Sequence, residues 1–190
     1  MIDKKLFEQM REEMETYDAN REALIKTSRD VLKSSKSAIY SLHRNEIKTA
    51  EKQLNEAQKL INQINNLIKK DNHLATVGAY AEALEEFTEA KCYYEFTTKN
   101  KLPTPKDLNV DIDTYLPGLC DLIGELVRKA INSALKDDTK TALAIKNFAE
   151  EIYEELMMFD IRNSPLRKKF DAIKYGLEKL EDLALKLKFK

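Results

Sequence analysis

The chain has 190 residues, with 32 Lys or Arg against 33 Asp or Glu, a formal charge of -1, and only four Gly and four Pro. That length suits a single domain over residues 1–190 with one substantial core, and the scarcity of turn formers among 34% charged residues predicts an all-α protein, a bundle of about six long helices. A balanced total excludes no class of partner, because a basic face and an acidic face can cancel; the absence of a signal-peptide core and of a run of about 20 apolar residues predicts a soluble, cytoplasmic protein with no membrane partner.

Residues Asp3 to Arg44 contain no Gly or Pro and keep a seven-residue register through Tyr17, Leu24, Val31 and Ala38. Ile25, Leu32, Ile39 and then Ser28, Ser35, Leu42 run beside it. Such a stripe, with small residues among the knobs, predicts one long, closely packed helix. Forty helical residues span about 60 Å, more than the diameter of a domain this size, so part of the helix is expected to be covered by another copy. On its polar side Lys26, Arg29, Lys33, Lys36 and His43 recur at helical spacing, with Tyr40 beside them and Arg44 at the end. This is either a solvated face or a track for a phosphate backbone with an aromatic ring for stacking.

A second helix follows from Glu46 to Lys70, with Ile47, Ala50, Leu54, Ala57, Leu60 or Ile61, Ile64 and Ile68 inward. His73 lies at a turn and receives no role. From Gly78 to Phe96, Val77, Tyr80, Leu84, Phe87 and Tyr94 mark a buried face, and Glu82, Glu85, Glu86 and Glu89 form a ridge opposite. Like charges one turn apart cost roughly 0.2–0.5 kcal/mol per pair, so the ridge is either an ordinary solvated face or a divalent-metal site. Cys92 and Cys120 lie within apolar helical patterns and read as buried free thiols.

Thr97 to Asp107, with Pro103 and Pro105, is the longest candidate loop, and the next helix is expected to begin near Asp113 or Thr114 with Pro117 in its first turn. Leu119, Leu122, Ile123, Leu126, Ala130 and Ile131 make its buried face; Asp121 and Glu125, one turn apart, face away. They fit a surface ion pair with Arg128 or Lys129, or a second pair of hard oxygen ligands for Mg²⁺ or Mn²⁺ if this helix lies antiparallel to the acidic one. No Glu-x-x-His, glycine-rich phosphate loop or zinc-ligand spacing occurs. Thr139 to Asp160 reads as a further helix. Ser164 then caps the last one, with Pro165 at its first position and Leu166, Phe170, Ile173, Leu177, Leu180 and Leu187 inward. Arg167, Lys168 and Lys169 stand near its start, where the helix dipole disfavours cations, which points to an external anion or to another subunit's acids.

Three motifs in order carry a family resemblance: Ser28-Arg29-Asp30 with Ser35-Lys36 and Leu42-His43-Arg44; Tyr115-Leu116-Pro117-Gly118-Leu119 with Gly124-Glu125-Leu126; and Ser164-Pro165-Leu166-Arg167-Lys168-Lys169-Phe170-Asp171. Together they resemble the translin and Trax family of helical RNA-binding proteins over nearly the whole chain, the first motif being closer to the Trax branch. The resemblance implies subunits that close into an oligomeric barrel, here a homo-oligomer with an octamer among the candidate sizes. It also implies single-stranded RNA as partner, with single-stranded DNA as a second candidate. The cutting branch uses acidic residues with a divalent metal, and the matching positions are Glu86, Glu89, Asp121 and Glu125. On that basis Glu86, Glu89 and Asp121 are the expected catalytic residues, Glu89 and Glu125 the ligands of Mg²⁺ or Mn²⁺, and Lys26, Arg29, Lys33, Lys36 and Arg44 the RNA contacts. The implied activity is metal-dependent endoribonucleolytic cleavage of single-stranded RNA; the alternative is a non-catalytic, oligomeric binder of the translin type. The basic and aromatic segment that translin uses for nucleic acid has no counterpart from Asn72 to Tyr80, so those contacts are not carried over.

Overall fold

The computed structural model describes residues 2–189, and within them the chain is helical with no strand. Seven helices follow in order: α1 Lys4–His43, α2 Ile47–Ile68, α3 Gly78–Lys99, the short α4 Pro105–Leu108, α5 Ile112–Ala134, α6 Thr139–Met157 and α7 Pro165–Lys188, with a 3-10 turn at Asn72–Thr76 between α2 and α3. Six of the seven are long, as the periodicity predicts. Their ends are set by local chemistry. Asp3, Asp111, Asp138 and Ser164 each accept a hydrogen bond from a backbone N–H of the first turn, and Thr104 and Asp107 form a reciprocal capping box. Asn45, Asn100, Asn109 and Asp137 take the left-handed conformation at the breaks, a role that short polar side chains tolerate best after glycine.

α1 packs on α2 and α3; α3 hands over to α5, and α5 packs on both α6 and α7. The α1 register holds, with Leu24, Val31, Ala38 and Leu42 fully buried and Ser28 and Ser35 beside them in the core. Ala50, Leu54, Ala57, Ile61 and Ile64 of α2 bury as expected, as do Phe170, Ile173, Leu177 and Leu180 of α7. Cys92 and Cys120 are buried free thiols, and burial pushes both thiols up to about 12.

Five expectations shift. On α3 it is Tyr93, not Tyr94, that is fully buried. α5 begins one residue earlier than expected, capped by Asp111, which puts Pro117 beyond the first turn, and Ile131 at its far end is exposed. α6 stops at Met157. The acidic ridge of α3 is not a solvated face: only Glu82 is exposed, while Glu85 and Glu86 are half-buried and Glu89 is buried.

The first third of α1 stands clear of the packed helices. Leu6, Phe7, Met10 and Met14 form an exposed apolar stripe there, at spacings that keep them on one face. Among the described residues no helix is long and apolar enough to cross a membrane.

Candidate active site between α1, α3, α5 and α7

Two acidic helices meet because one of them carries a glycine at the contact: Gly118 of α5 faces Thr88 of α3, and the backbones close up there. Asp121 lies one turn beyond the glycine and Glu89 follows the threonine, so the contact sets the spacing of the carboxylates. Glu86, Asp121 and Glu125 all act electrostatically on Glu89. The four residues implied by the resemblance are therefore neighbours in space.

Glu89 is the most unusual of them. It is 7% exposed, accepts no hydrogen bond and joins no ion pair within the described residues. Burial, then the charges of Glu86, Asp121 and Glu125, push its carboxyl up to about 9, with only Lys169 opposing. It therefore holds a proton at neutral pH unless a cation is supplied.

Each remaining carboxylate has a basic partner from another helix. Lys36 of α1 approaches Glu86, with Nζ 3.7 Å from Oε2. Burial raises the Glu86 carboxyl, Lys36 opposes the rise, and Asp121 reinforces it. His43, at the C-terminal end of α1, turns inward between α3 and α5: Nε2 donates to Glu125 Oε2, and Nδ1 lies 3.1 Å from the Tyr93 hydroxyl. A neutral ring with its proton on Nε2 satisfies both contacts, since the tyrosine can donate to Nδ1. Lys169 of α7 donates to Glu85 and, at 2.5 Å, to Asp121 Oδ2. Burial works against the Lys169 ammonium, but these two carboxylates together raise it above its ordinary value. Two of the three cations at the start of α7 thus meet acids of their own chain, Lys169 these two carboxylates and Arg167 Asp171.

Beside the carboxylates a small groove of about 130 Å³ is lined by Lys36, Ile39, Tyr40, Glu86 and Glu125. Lys26, Arg29 and Lys33 lie exposed along the same face of α1 and lead toward it. Arg128 of α5 sits over the Tyr40 ring, 5.6 Å from its centroid, and Lys129 over Tyr93 at the same separation. Neither pairs with Glu125. Arg44 stands apart from the groove and binds Glu46 with two nitrogens, Nε at 2.9 Å and Nη2 at 3.1 Å.

In the sequence Tyr93 carries no site signal, Glu85 reads only as a member of the acidic ridge, His43 only as part of the basic stripe, and Lys169 as a cation whose anionic partner stays open. The misplaced charge at the start of α7 was the available signal for Lys169. Nothing in the local pattern of α3 marks Tyr93.

All the acidic residues offer hard oxygen donors, which suit Mg²⁺ or Mn²⁺. Among the described residues no three of His, Cys, Asp or Glu are gathered closely enough to hold a metal ion as the side chains lie; the oxygens of Glu85, Glu86, Asp121 and Glu125 are directed at Lys36, His43 and Lys169 instead.

A cationic first helix laid across two helices that pool their carboxylates defines an all-helical class in which an acidic centre and a basic track share one subunit. The sequence profile of the Translin family matches residues 19–190. The chain belongs to the translin family. It is 33% identical over 165 residues to an uncharacterised protein of Methanocaldococcus jannaschii, covering 85% of this chain and 73% of that one. It is 26% identical to Translin-associated protein X of Rattus norvegicus, over 96% of this chain and 77% of that one. Among solved structures, apo-NeC3PO superposes with a TM-score of 0.88 at 27% identity, over 94% of this chain and 95% of that one. The complex of AfC3PO with duplex RNA gives 0.85 at 27% identity, over 96% of each chain.

Proposed function

We propose that this protein is a metal-dependent endoribonuclease that binds RNA along α1 and hydrolyses it at the carboxylates of α3 and α5. The observation that carries this reading is Glu89, a buried carboxyl with no ion pair of its own, set among three others. A buried acid cluster of this kind destabilises the fold unless a cation or substrate balances it, and such sites are where function is concentrated. The RNA complex of the related AfC3PO supports RNA as the partner class.

Glu89 and Glu125 are the ligands we assign, with Glu86 and Asp121 completing the acidic site. Mg²⁺ or Mn²⁺ bound there would supply Lewis-acid polarisation of the phosphate and a water of lowered pKa. His43 orients Glu125 from α1. Glu86 or Asp121 takes the proton of the attacking water as general base. Lys26, Arg29, Lys33 and Lys36 bind the phosphate backbone leading to the site, and Tyr40 offers a face to a base.

The assembly we propose is a closed homo-oligomer, up to an octamer. The exposed stripe of Leu6, Phe7, Met10 and Met14 supports it, because an apolar face that projects beyond the core needs a partner surface. Selection of single strands, RNA before DNA, would follow from enclosure, which admits a flexible chain more readily than a stiff duplex. AfC3PO nevertheless holds duplex RNA, so the comparison of both forms belongs in the assay.

A second reading, a non-catalytic oligomeric RNA binder, is favoured by one observation: Glu86, Asp121 and Glu125 already have partners within the chain in Lys36, Lys169 and His43. The two separate in a cleavage assay of labelled single-stranded and duplex RNA with Mg²⁺, with Mn²⁺ and with chelator, alongside Glu86→Ala plus Glu89→Ala. Metal-dependent cutting that disappears in the double variant supports the nuclease. Binding without cutting under every condition leaves the scaffold.

A further inference from the structure

On the far side of the carboxylates from α1, a groove of about 560 Å³ runs between α5 and α7. Asp121 and Lys169, the pair that bounds the acidic site, belong to its lining. Gly124 of α5 and Gly176 of α7 line it; at Gly176 α7 packs closely on α5, where a Cβ would lie 3.3 Å from Ile123 Cγ2 and Val127 Cγ2, while at Gly124 the trough is open. A Cβ on Gly124 would meet nothing within 4 Å. Lys168 and Lys179 also line it, 11 residues and about 16 Å apart on the same face of α7. Unlike Lys169, neither joins an ion pair within the described residues. Between them Tyr175 presents a ring that is 59% exposed, with Lys174 Nζ 5.5 Å from its centroid.

Resting on the RNA-binding reading above, we infer that the α5–α7 groove is a second track for the RNA strand, continuing past the carboxylates the path that begins on α1, with Lys168 and Lys179 on phosphates and Tyr175 stacked on a base. Two features of the groove select this occupant. Apart from Asp121 its charged lining is cationic, Lys168, Lys169 and Lys179, and so complements a phosphodiester backbone. It shares Asp121 and Lys169 with the acidic site, so a strand whose scissile phosphate lies at Asp121 has the trough beside it for its next nucleotides. An exposed aromatic ring between two cations is the arrangement that holds single-stranded nucleic acid without reading sequence. The substrate is thereby gripped on both sides of the bond, and strands long enough to reach α7 are favoured over short ones.

The test measures the affinity of labelled single-stranded RNAs of graded length, in chelator and over a series of salt concentrations. It compares the full-length protein with K168A plus K179A and with Y175A. Sedimentation of each variant is recorded alongside. For the longest strands the double lysine variant is expected to lose about tenfold or more in affinity and to reduce the salt slope by about 1.4, the value for two phosphate contacts on a single strand. Y175A is expected to lose about tenfold with its salt slope unchanged, since stacking is not ionic. The shortest strands are expected to bind all three proteins alike. Wild-type affinity of both variants for long strands overturns the inference while leaving RNA binding along α1 intact. A changed sedimentation with unchanged affinity overturns it too, by showing that the groove is a contact between copies. Failure of the unmodified protein to bind any RNA removes the functional reading and this inference with it.

Discussion

Gly118 of α5 and Thr88 of α3 stand so close that a Cβ built on the glycine would lie 2.9 Å from the threonine Cγ2, and 3.2 Å from the carbonyl oxygen of Glu85. Thr88 is fully buried and β-branched, so its side chain cannot swing away. The G118A variant is therefore expected to lose about 1–3 kcal/mol to overpacking, against the roughly 0.5–1 kcal/mol that alanine gains over glycine in a helix. Urea unfolding decides between the two terms. A net gain in stability would mean that α3 and α5 separate freely and that their contact does not set the carboxylate spacing.

Glu89 makes stability depend on pH in an unusual direction. Its folded pKa, about 9, lies above the usual 4.5, so between those values the folded state holds a proton that the unfolded state has released. Stability from this group is present below about pH 4.5 and is lost as pH rises toward 9. The full difference corresponds to an upper bound of about 6 kcal/mol, and structural relaxation reduces it. In chelator the melting temperature of the wild type should fall from pH 6 to pH 9, and E89Q should flatten that fall. Mg²⁺ or Mn²⁺ should flatten it in the wild type alone. An identical pH profile for wild type and E89Q would remove the claim that Glu89 is protonated.

The Lys169 ammonium ties α7 to two carboxylates, and all three side chains are only partly covered. Replacing it as K169M leaves Glu85 and Asp121 facing each other and is expected to cost about 1–2 kcal/mol at pH 7. The loss should shrink near pH 4, where carboxylates protonate, and K169R should restore most of it. A loss that is equal at both pH values would make the residue's role steric.

The basic face of α1 gives a prediction in salt. The triple variant K26A, R29A and K33A should keep the helical content of the wild type but lower the salt slope of single-stranded RNA binding by about two. An unchanged slope would reduce the stripe to a solvated face.

The apolar stripe on the projecting part of α1 predicts a change in assembly. F7K with M14K should yield a smaller species by sedimentation, while the melting transition of the subunit core moves little, because both positions lie outside it. A wild-type mass for the double variant would show that the copies meet elsewhere.

What could be read from the sequence was whatever repeats along a helix. The α1 register, the inward faces of α2 and α7 and the Ser164 cap all follow from local spacing. The residues that pattern reading misplaced owe their position to distant parts of the chain. Glu89 is buried although it lies on the polar side of its helix, because α1, α5 and α7 enclose that side; no periodicity reports this. His43 continues the basic stripe by spacing, yet it turns inward at the C-terminal end of α1 to reach a carboxylate 82 residues further on. Tyr93 and Tyr94 are adjacent aromatics, and only the packing of α3 decides which is core. The resemblance located the four carboxylates, but not that each of three has a basic partner.

Lys169 comes 84 residues after Glu85 and 48 after Asp121. At a synthesis rate of about 5–20 residues per second, α3 and α5 leave the ribosome several seconds before the lysine that neutralises them. During that interval Glu85 and Asp121 lack the cation that joins them, so the contact between α3 and α5 reaches its full stability only when the last helix has docked.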